Sequence, residues 1–319
     1  MNDISIFGAG AFGTALAISL AQDGRKVSLI ARTDVHADRM NFTRSNNARL
    51  VGFPFPDTLT TTADPTDPAL VCLMAVPTQT LSGLIERHAE HLKGRTIVAC
   101  CKGVDLNSGL GPTEVIQQNC PTAKPAILSG PSFAVDIAAG LPTALTLAAK
   151  DETLARQLQN DLSTANLRLY RTTDVTGVEL GGALKNIIAI GAGITIGAGL
   201  GESARAALIT RGFAEMKRFA KDFGANPDTL SGLSGLGDLV LTCTSDKSRN
   251  YRHGFSLGSG KPPKTDTIEG ISTALAVTDL AAARNIDMPI TSTISALLAN
   301  RLTITEAVTA LLSRPLKEE

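Results

Sequence analysis

Residues 4 to 30 constrain this chain more than any other stretch. Ile4 to Phe7 is a short apolar strand, Gly8, Gly10 and Gly13 follow as G-x-G-x-x-G, and Thr14 to Gln22 reads as an amphipathic helix. Asp23-Gly24 ends that helix, and Lys26 to Ile30 is a second strand. A glycine triplet alone says little. Set between strand and helix, in a βαβ unit of about 30 residues, it is a dinucleotide-binding fingerprint. Gly8 makes the tight turn, Gly10 lets a pyrophosphate approach the backbone, and Gly13 lets the helix pack on the strand. Ala11 and Phe12 begin the helix, where amides without intrahelical partners point at phosphate oxygens.

The end of the second strand bears on cofactor choice. An acidic residue there binds the ribose 2′-OH of NAD(H), whereas an arginine accommodates a 2′-phosphate. This chain has Arg32, then Thr33 and Asp34, so NADPH is favoured and NADH is kept open. Strand and helix signals go on alternating. Ala69 to Val76 is the continuous apolar run of a buried parallel strand, and Thr78 to His91 is amphipathic. His88 and His91 lie on that helix with no third ligand near them in sequence, so a solvated face is expected rather than a metal site. Thr96 to Cys101, Pro125 to Leu128, Pro142 to Ala149 and Leu167 to Arg171 read as further strands.

The expected fold is therefore α/β: a Rossmann-like doubly wound sheet over residues 1–176, followed by an all-helical second domain over 177–319. Ligands of open α/β sheets bind beyond the carboxyl ends of the strands. Lys102, directly after its strand, and the turn Ser129-Gly130-Pro131-Ser132 thus become a pocket wall.

Between Ile187 and Leu200 there is no charge, so a helix buried on all sides is expected, with Lys185 and Asn186 at its leading edge. A buried lysine is costly unless paired, and desolvation lowers its pKa toward the range of a base. The expectation is a central helix that carries a catalytic lysine into a cleft between the domains. Its uncharged core of 14 residues is shorter than the roughly 18 of a membrane span, so no span is expected. Gly193 and Gly197 are spaced for close helix packing, within the chain by default or between the subunits of a homodimer.

The second half begins with an amphipathic helix over Ser203 to Phe223, then a Gly/Ser-rich loop, Ser231 to Asp238. Ser245 or Asp246 is expected to cap the next helix, putting Ser248, Arg249 and Asn250 in its first turn, where an anion is favoured. Thr267 to Gly270 starts another helix, and residues 288–299 and 303–313 supply two more.

Composition excludes several classes. Thirty basic and thirty acidic residues cancel, and no Trp is present, so neither nucleic acid nor an anionic membrane is an expected partner. The five cysteines have neither metal-ligand nor disulfide-framework spacing, which points to buried thiols, no metal and a cytoplasmic location. The amino terminus shows no basic leader before an apolar core, so no signal peptide is expected.

Gly-Ala-Gly-Ala-Phe-Gly at 8–13, Cys-Lys-Gly at 101–103 and Ser-Gly-Pro-Ser-Phe-Ala at 129–134 occur in that order. They are followed by Gly-Ala-Leu-Lys-Asn-Ile-Ile-Ala-Ile-Gly-Ala-Gly at 182–193, Gly-Leu-Gly-Asp at 235–238, Ser-Arg-Asn at 248–250 and Glu-Gly at 269–270. Across nearly its whole length the chain resembles the bacterial-type, NAD(P)-dependent sn-glycerol-3-phosphate dehydrogenases. The resemblance implies reversible reduction of dihydroxyacetone phosphate to sn-glycerol 3-phosphate, the entry to glycerophospholipid synthesis. It implies Lys185 as proton acceptor and donor, oriented by Asp238. Substrate contacts fall on Lys102, Gly130, Ser132, Lys185, Asp238, Ser248, Arg249 and Asn250. Cofactor contacts fall on Ala11, Phe12, Arg32, Lys102, Ala134, Arg249 and Glu269, besides the loop glycines Gly8, Gly10 and Gly13. Ala11-Phe12 stands where many members have Ser-Trp, a change the backbone contacts there tolerate. Thr267 is a weaker cofactor contact, since relatives often carry an apolar residue.

Two other readings compete. A 3-hydroxyacid or 6-phosphogluconate-type dehydrogenase shares the plan and a helical lysine, but places its asparagine several residues later, whereas Asn186 is adjacent and residue 189 is Ala. A Rossmann-type NADPH sensor would have no use for a lysine at the edge of an apolar helix.

Overall fold

The computed structural model describes residues 3–262 and 268–313, which leaves Thr267 outside the described residues. The chain divides into two compact units, Met1–Glu179 and Leu180–Glu319, the division falling inside one long helix.

The first unit opens with β1 (Ile4–Phe7), α1 (Ala11–Gln22), β2 (Val27–Ile30), α2 (Asp34–Thr43), β3 (Leu59–Thr62) and β4 (Val71–Met74). It continues with α3 (Thr78–Leu92), β5 (Thr96–Ala99), α4 (Pro112–Asn119) and β6 (Lys124–Ser129). α5 (Ala134–Ala138), β7 (Thr143–Ala148), α6 (Glu152–Leu162) and β8 (Leu167–Thr172) follow. The eight strands form one sheet in the order β3-β2-β1-β4-β5-β6-β7-β8. Six are parallel in the doubly wound order; β7 joins β6 antiparallel and β8 runs parallel to β7. In the central strands β1, β2 and β4 both faces are buried. Ile4 and Ile6 of β1 enter one core while Phe7 enters the other, and Val71 and Leu73 of β4 oppose Cys72 and Met74 in the same way. Two buried faces explain why these strands read as continuous apolar runs.

Helix α1 differs from its expected amphipathic character. Gly13 to Ala21 are all buried, so it is enclosed on every side. β3, with the sequence Leu-Thr-Thr-Thr, gave no apolar run and was unforeseen; its Leu59 and Thr61 face inward and Thr60 outward.

The second unit continues α7 (Val175–Gly197) into α8 (Glu202–Asp222), α9 (Pro227–Leu230), a π-helical turn over Leu233–Gly237 and α10 (Asp238–Thr244). α11 (Arg249–Gly258), α12 (Glu269–Ala283), α13 (Pro289–Leu298) and α14 (Ile304–Leu312) complete it. The Gly/Ser-rich loop is thus mostly helical. The cap of α11 is Ser248, two or three residues later than expected: its hydroxyl accepts from the Tyr251 amide at 3.2 Å. Ser245 instead closes α10, and its hydroxyl accepts from the Lys247 amide.

The length argument against a membrane span does not hold. α7 is 23 residues and holds an 18-residue window with a mean hydropathy of 1.4, long and apolar enough to cross a bilayer. What uses its apolar surface is the protein itself, since 83% of the apolar window is buried. Its glycines explain how. A Cβ on Gly193 would stand 2.1 Å from the Tyr251 carbonyl oxygen, and one on Gly197 2.3 Å from that of Phe255. Reciprocally, a Cβ on Gly254 or Gly258 of α11 would stand 2.0 or 2.3 Å from the carbonyl oxygen of Ile190 or Ile194. α7 and α11 therefore meet backbone to backbone, and the small-residue spacing is spent within the chain.

Two helix starts are capped by a glutamate from another helix. Glu179 of α7 accepts from the Thr113 amide of α4 at 2.7 Å, in space left by Gly111. Glu215 of α8 accepts from the Ile290 and Thr291 amides of α13 at 2.6 and 3.0 Å. Neither helix has a side-chain cap from its own N-cap residue. Enclosure pushes the Glu179 carboxyl from 4.5 up to about 7, against the Thr113 bonds and Lys150, with Glu114 adding to the rise. Between pH 4.5 and 7 the folded chain holds a proton that the unfolded chain has lost, so this group's stabilisation falls as pH rises through that window. The loss is on the order of 3 kcal/mol. Glu179→Gln should flatten the pH dependence of the urea midpoint over that window; an unaltered profile would contradict the assignment.

Candidate active site

The glycine loop follows β1 at the point where the strand order reverses, between β1 and β4. Gly8 has φ +109°, and a Cβ there would lie 2.4 Å from the Ala75 carbonyl oxygen. A Cβ on Gly13 would lie 2.1 Å from the oxygen of Gly8. Gly10, by contrast, has no protein atom within 4 Å of where its Cβ would stand. Two glycines are thus required by the fold itself, while the third opens onto space, as approach of a diphosphate demands. Gly10 is the N-cap of α1, so Ala11 and Phe12 are its first two residues and present their amides at that opening.

Arg32 is exposed two residues past β2. Its guanidinium has no hydrogen bond or ion pair to any described residue. Asp34 is the first residue of α2, after the cap Thr33. Lys102, Gly130 and Ser132 are brought together: the Lys102 ammonium donates to the Gly130 carbonyl at 2.9 Å and the Ser132 hydroxyl to the same oxygen at 3.1 Å. Ala134 begins α5 and packs on the core that contains α1.

In the second unit Lys185 and Asp238 meet. The Lys185 ammonium donates to Asp238 Oδ1 at 3.0 Å and to the Thr242 hydroxyl at 2.7 Å, and that hydroxyl donates to the Asp238 carbonyl at 2.6 Å. Lys185 is 6% exposed, Asp238 2% and Thr242 4%. The carboxylate that the resemblance assigns to orient this lysine is in contact with it, and a hydroxyl not foreseen joins them. Pairing removes the cost of a lone buried charge. Thr242 escaped sequence reading, although its spacing of four from Asp238 puts both on one face of α10.

Ser248, Arg249 and Asn250 occupy the start of α11. Ser248 is buried and its side chain serves as the cap. Arg249 is exposed and makes no hydrogen bond or ion pair to a described residue. The Asn250 amide donates to Asn186 Oδ1 at 2.8 Å, and its Oδ1 accepts from the Gly270 amide at 3.1 Å. Asn250 thereby joins the residue after Lys185 to the residue after Glu269, which starts α12. All five cysteines are buried free thiols; burial raises Cys72 and Cys243 to about 12, and pushes Cys100 higher still. Burial marks Cys72, Cys100 and Cys243 as packing residues.

Comparison with known proteins agrees in both halves. The family model for the NAD-dependent glycerol-3-phosphate dehydrogenase N-terminus matches residues 3–155, and that for the C-terminus matches residues 174–309. A glycerol-3-phosphate dehydrogenase [NAD(P)+] of Cereibacter sphaeroides is 56% identical over 318 residues, covering 99% of this chain and 100% of the relative. The protein of that name from Ruegeria is 54% identical over 324 residues, covering 99% of each chain. The crystal structure of glycerol-3-phosphate dehydrogenase from Coxiella burnetii superposes with a TM-score of 0.92 at 40% identity, covering 98% of this chain and 99% of that one. The chain belongs to the NAD-dependent glycerol-3-phosphate dehydrogenase family and is an NAD(P)-dependent oxidoreductase acting on a CH–OH group.

Proposed function

We propose that this protein reversibly reduces dihydroxyacetone phosphate to sn-glycerol 3-phosphate, the backbone of glycerophospholipids, with Lys185 as the proton donor. The buried Lys185–Asp238–Thr242 cluster carries the reading. When bound, the nicotinamide cofactor supplies the hydride. The substrate oxygen then gains negative charge and needs a proton from a positioned acid. Lys185 donates to Asp238 and Thr242, which hold its ammonium in place. Asp238 keeps the ammonium compensated before transfer, and in the reverse direction Lys185 takes the proton back.

Arg249, with its guanidinium uncommitted at a helix start, suits the substrate phosphate, with Asn250 and Ser248 beside it. Lys102 polarises substrate oxygen, and Gly130 and Ser132 shape that wall. The glycine loop, Ala11, Phe12, Ala134 and Glu269 receive the dinucleotide, and Arg32 favours NADPH through its 2′-phosphate. Buried free thiols fit the reducing cytoplasm, where we place the protein.

Recording NADPH oxidation on addition of dihydroxyacetone phosphate tests the reading, with unphosphorylated dihydroxyacetone as control. Oxidation should require the phosphate. NADPH that binds and stays unoxidised would instead indicate a sensor. Arg249→Ala should raise KM for dihydroxyacetone phosphate about tenfold to a hundredfold, the worth of a charged hydrogen bond. An unchanged KM would remove Arg249 from the phosphate site.

A further inference from the structure

Asn46 is 1% exposed and lies just past Arg44, the left-handed residue that ends α2. Its Nδ2 donates to the Ala9 carbonyl at 3.0 Å and to the Thr14 hydroxyl at 2.8 Å. Its Oδ1 lies 3.3 Å from Nε2 of His36. Ala9 sits between Gly8 and Gly10, Thr14 is in the first turn of α1, and His36 is in the first turn of α2, four residues after Arg32. One carboxamide therefore touches the loop that takes the diphosphate, the helix behind it and the turn beside the 2′ end.

We propose that Asn46 is a positioning residue of the dinucleotide site, holding the glycine loop and the start of α2 in one register before the cofactor arrives. The inference rests on the reading of that loop as the cofactor site. The ends of the loop are fixed from below, Gly8 against Ala75 and Gly13 against Gly8. Its middle is the Ala9–Gly10 peptide. A peptide is planar and trans, so its C=O and N–H point in opposite directions. Holding the Ala9 oxygen toward Asn46 aims the Gly10 amide away from it, toward the opening at the start of α1. Without the Asn46 donor that peptide is free to rotate, and binding must then order it, at a cost in affinity.

Cofactor affinity of the full-length Asn46→Ala protein, measured by quenching of NADPH and NADH fluorescence without substrate, tests the proposal. Both dissociation constants should rise about tenfold, since the loop and not the 2′ end is what loosens. KM for dihydroxyacetone phosphate at saturating cofactor should shift far less. A folded variant with unchanged constants for both cofactors overturns the proposal, as does an equal rise in the substrate KM. If Asn46→Ala does not fold, Asn46→Asp keeps the volume and the acceptor toward His36 while removing both donated bonds. Its loss of affinity should persist in raised salt, which screens the added charge; full recovery there overturns the proposal. Gly10→Val separates the two readings. If it binds NADPH normally, the loop is not the cofactor site; if it abolishes binding while Asn46→Ala changes nothing, only the role of Asn46 falls.

Discussion

Lys185→Met should lower kcat by about 10²–10⁴-fold, the contribution of a positioned general acid, while NADPH binding persists. Methionine keeps the length of the stem and removes the transferable proton. It also strips the Asp238 carboxylate, 2% exposed, of its ammonium. Breaking one side of a buried pair costs about 3–5 kcal/mol, so the single variant should lose stability as well as turnover. The double variant Lys185→Met/Asp238→Asn removes both charges and should recover most of the melting temperature without recovering turnover. That combination separates catalysis from folding. Near-wild-type kcat in either protein would end the assignment of Lys185.

Gly193→Ala should destabilise the second unit by about 3 kcal/mol, the upper end of ordinary overpacking. The added Cβ would meet the Tyr251 carbonyl oxygen at 2.1 Å and the Phe255 nitrogen at 2.7 Å, both backbone atoms. α11 cannot slide to relieve the clash, because Gly254 and Gly258 already rest on the carbonyls of Ile190 and Ile194. The helices must part. Melting should fall by roughly 10 °C, following the usual relation between energy and midpoint for a unit of this size. Because Asn250 bonds to Asn186 across the same seam, KM for dihydroxyacetone phosphate should rise in the folded fraction. Gly83→Ala is the control: Gly83 lies on α3 with nothing within 4 Å, and alanine there should be neutral or slightly stabilising. Equal melting temperatures for the two variants would refute the close seam.

The parts legible in the sequence were those written in local physics. β1, the glycine loop and α1 are contiguous, and each residue's role follows from its neighbours. Lys185 was legible because a charge beside an apolar run demands a reason. Its partners lie 53 and 57 positions away, where no period connects them: Asp238 followed only from the family resemblance, and Thr242 was missed. The α11 cap was misplaced because Ser245, Asp246 and Ser248 can all cap; hydrogen-bond geometry selects Ser248. β3 was hidden by its threonines, and Asn46 by a polar stretch that resembles any loop. The uncharged run of 14 residues understated the apolar reach of α7, whose earlier turns carry Glu179 and Lys185, both of which find partners in the fold.

The glutamate caps carry a consequence for how the chain opens. Helix ends ordinarily fray, exposing their first amides many times before the whole structure unfolds. The acceptors for Thr113, Ile290 and Thr291 come from residues 66, 75 and 76 positions away, so those ends are closed only once distant helices have docked. Hydrogen exchange at these three amides should accordingly track loss of the core around them, not local breathing. The starts of α4 and α13 thus behave as cooperative joints of their units.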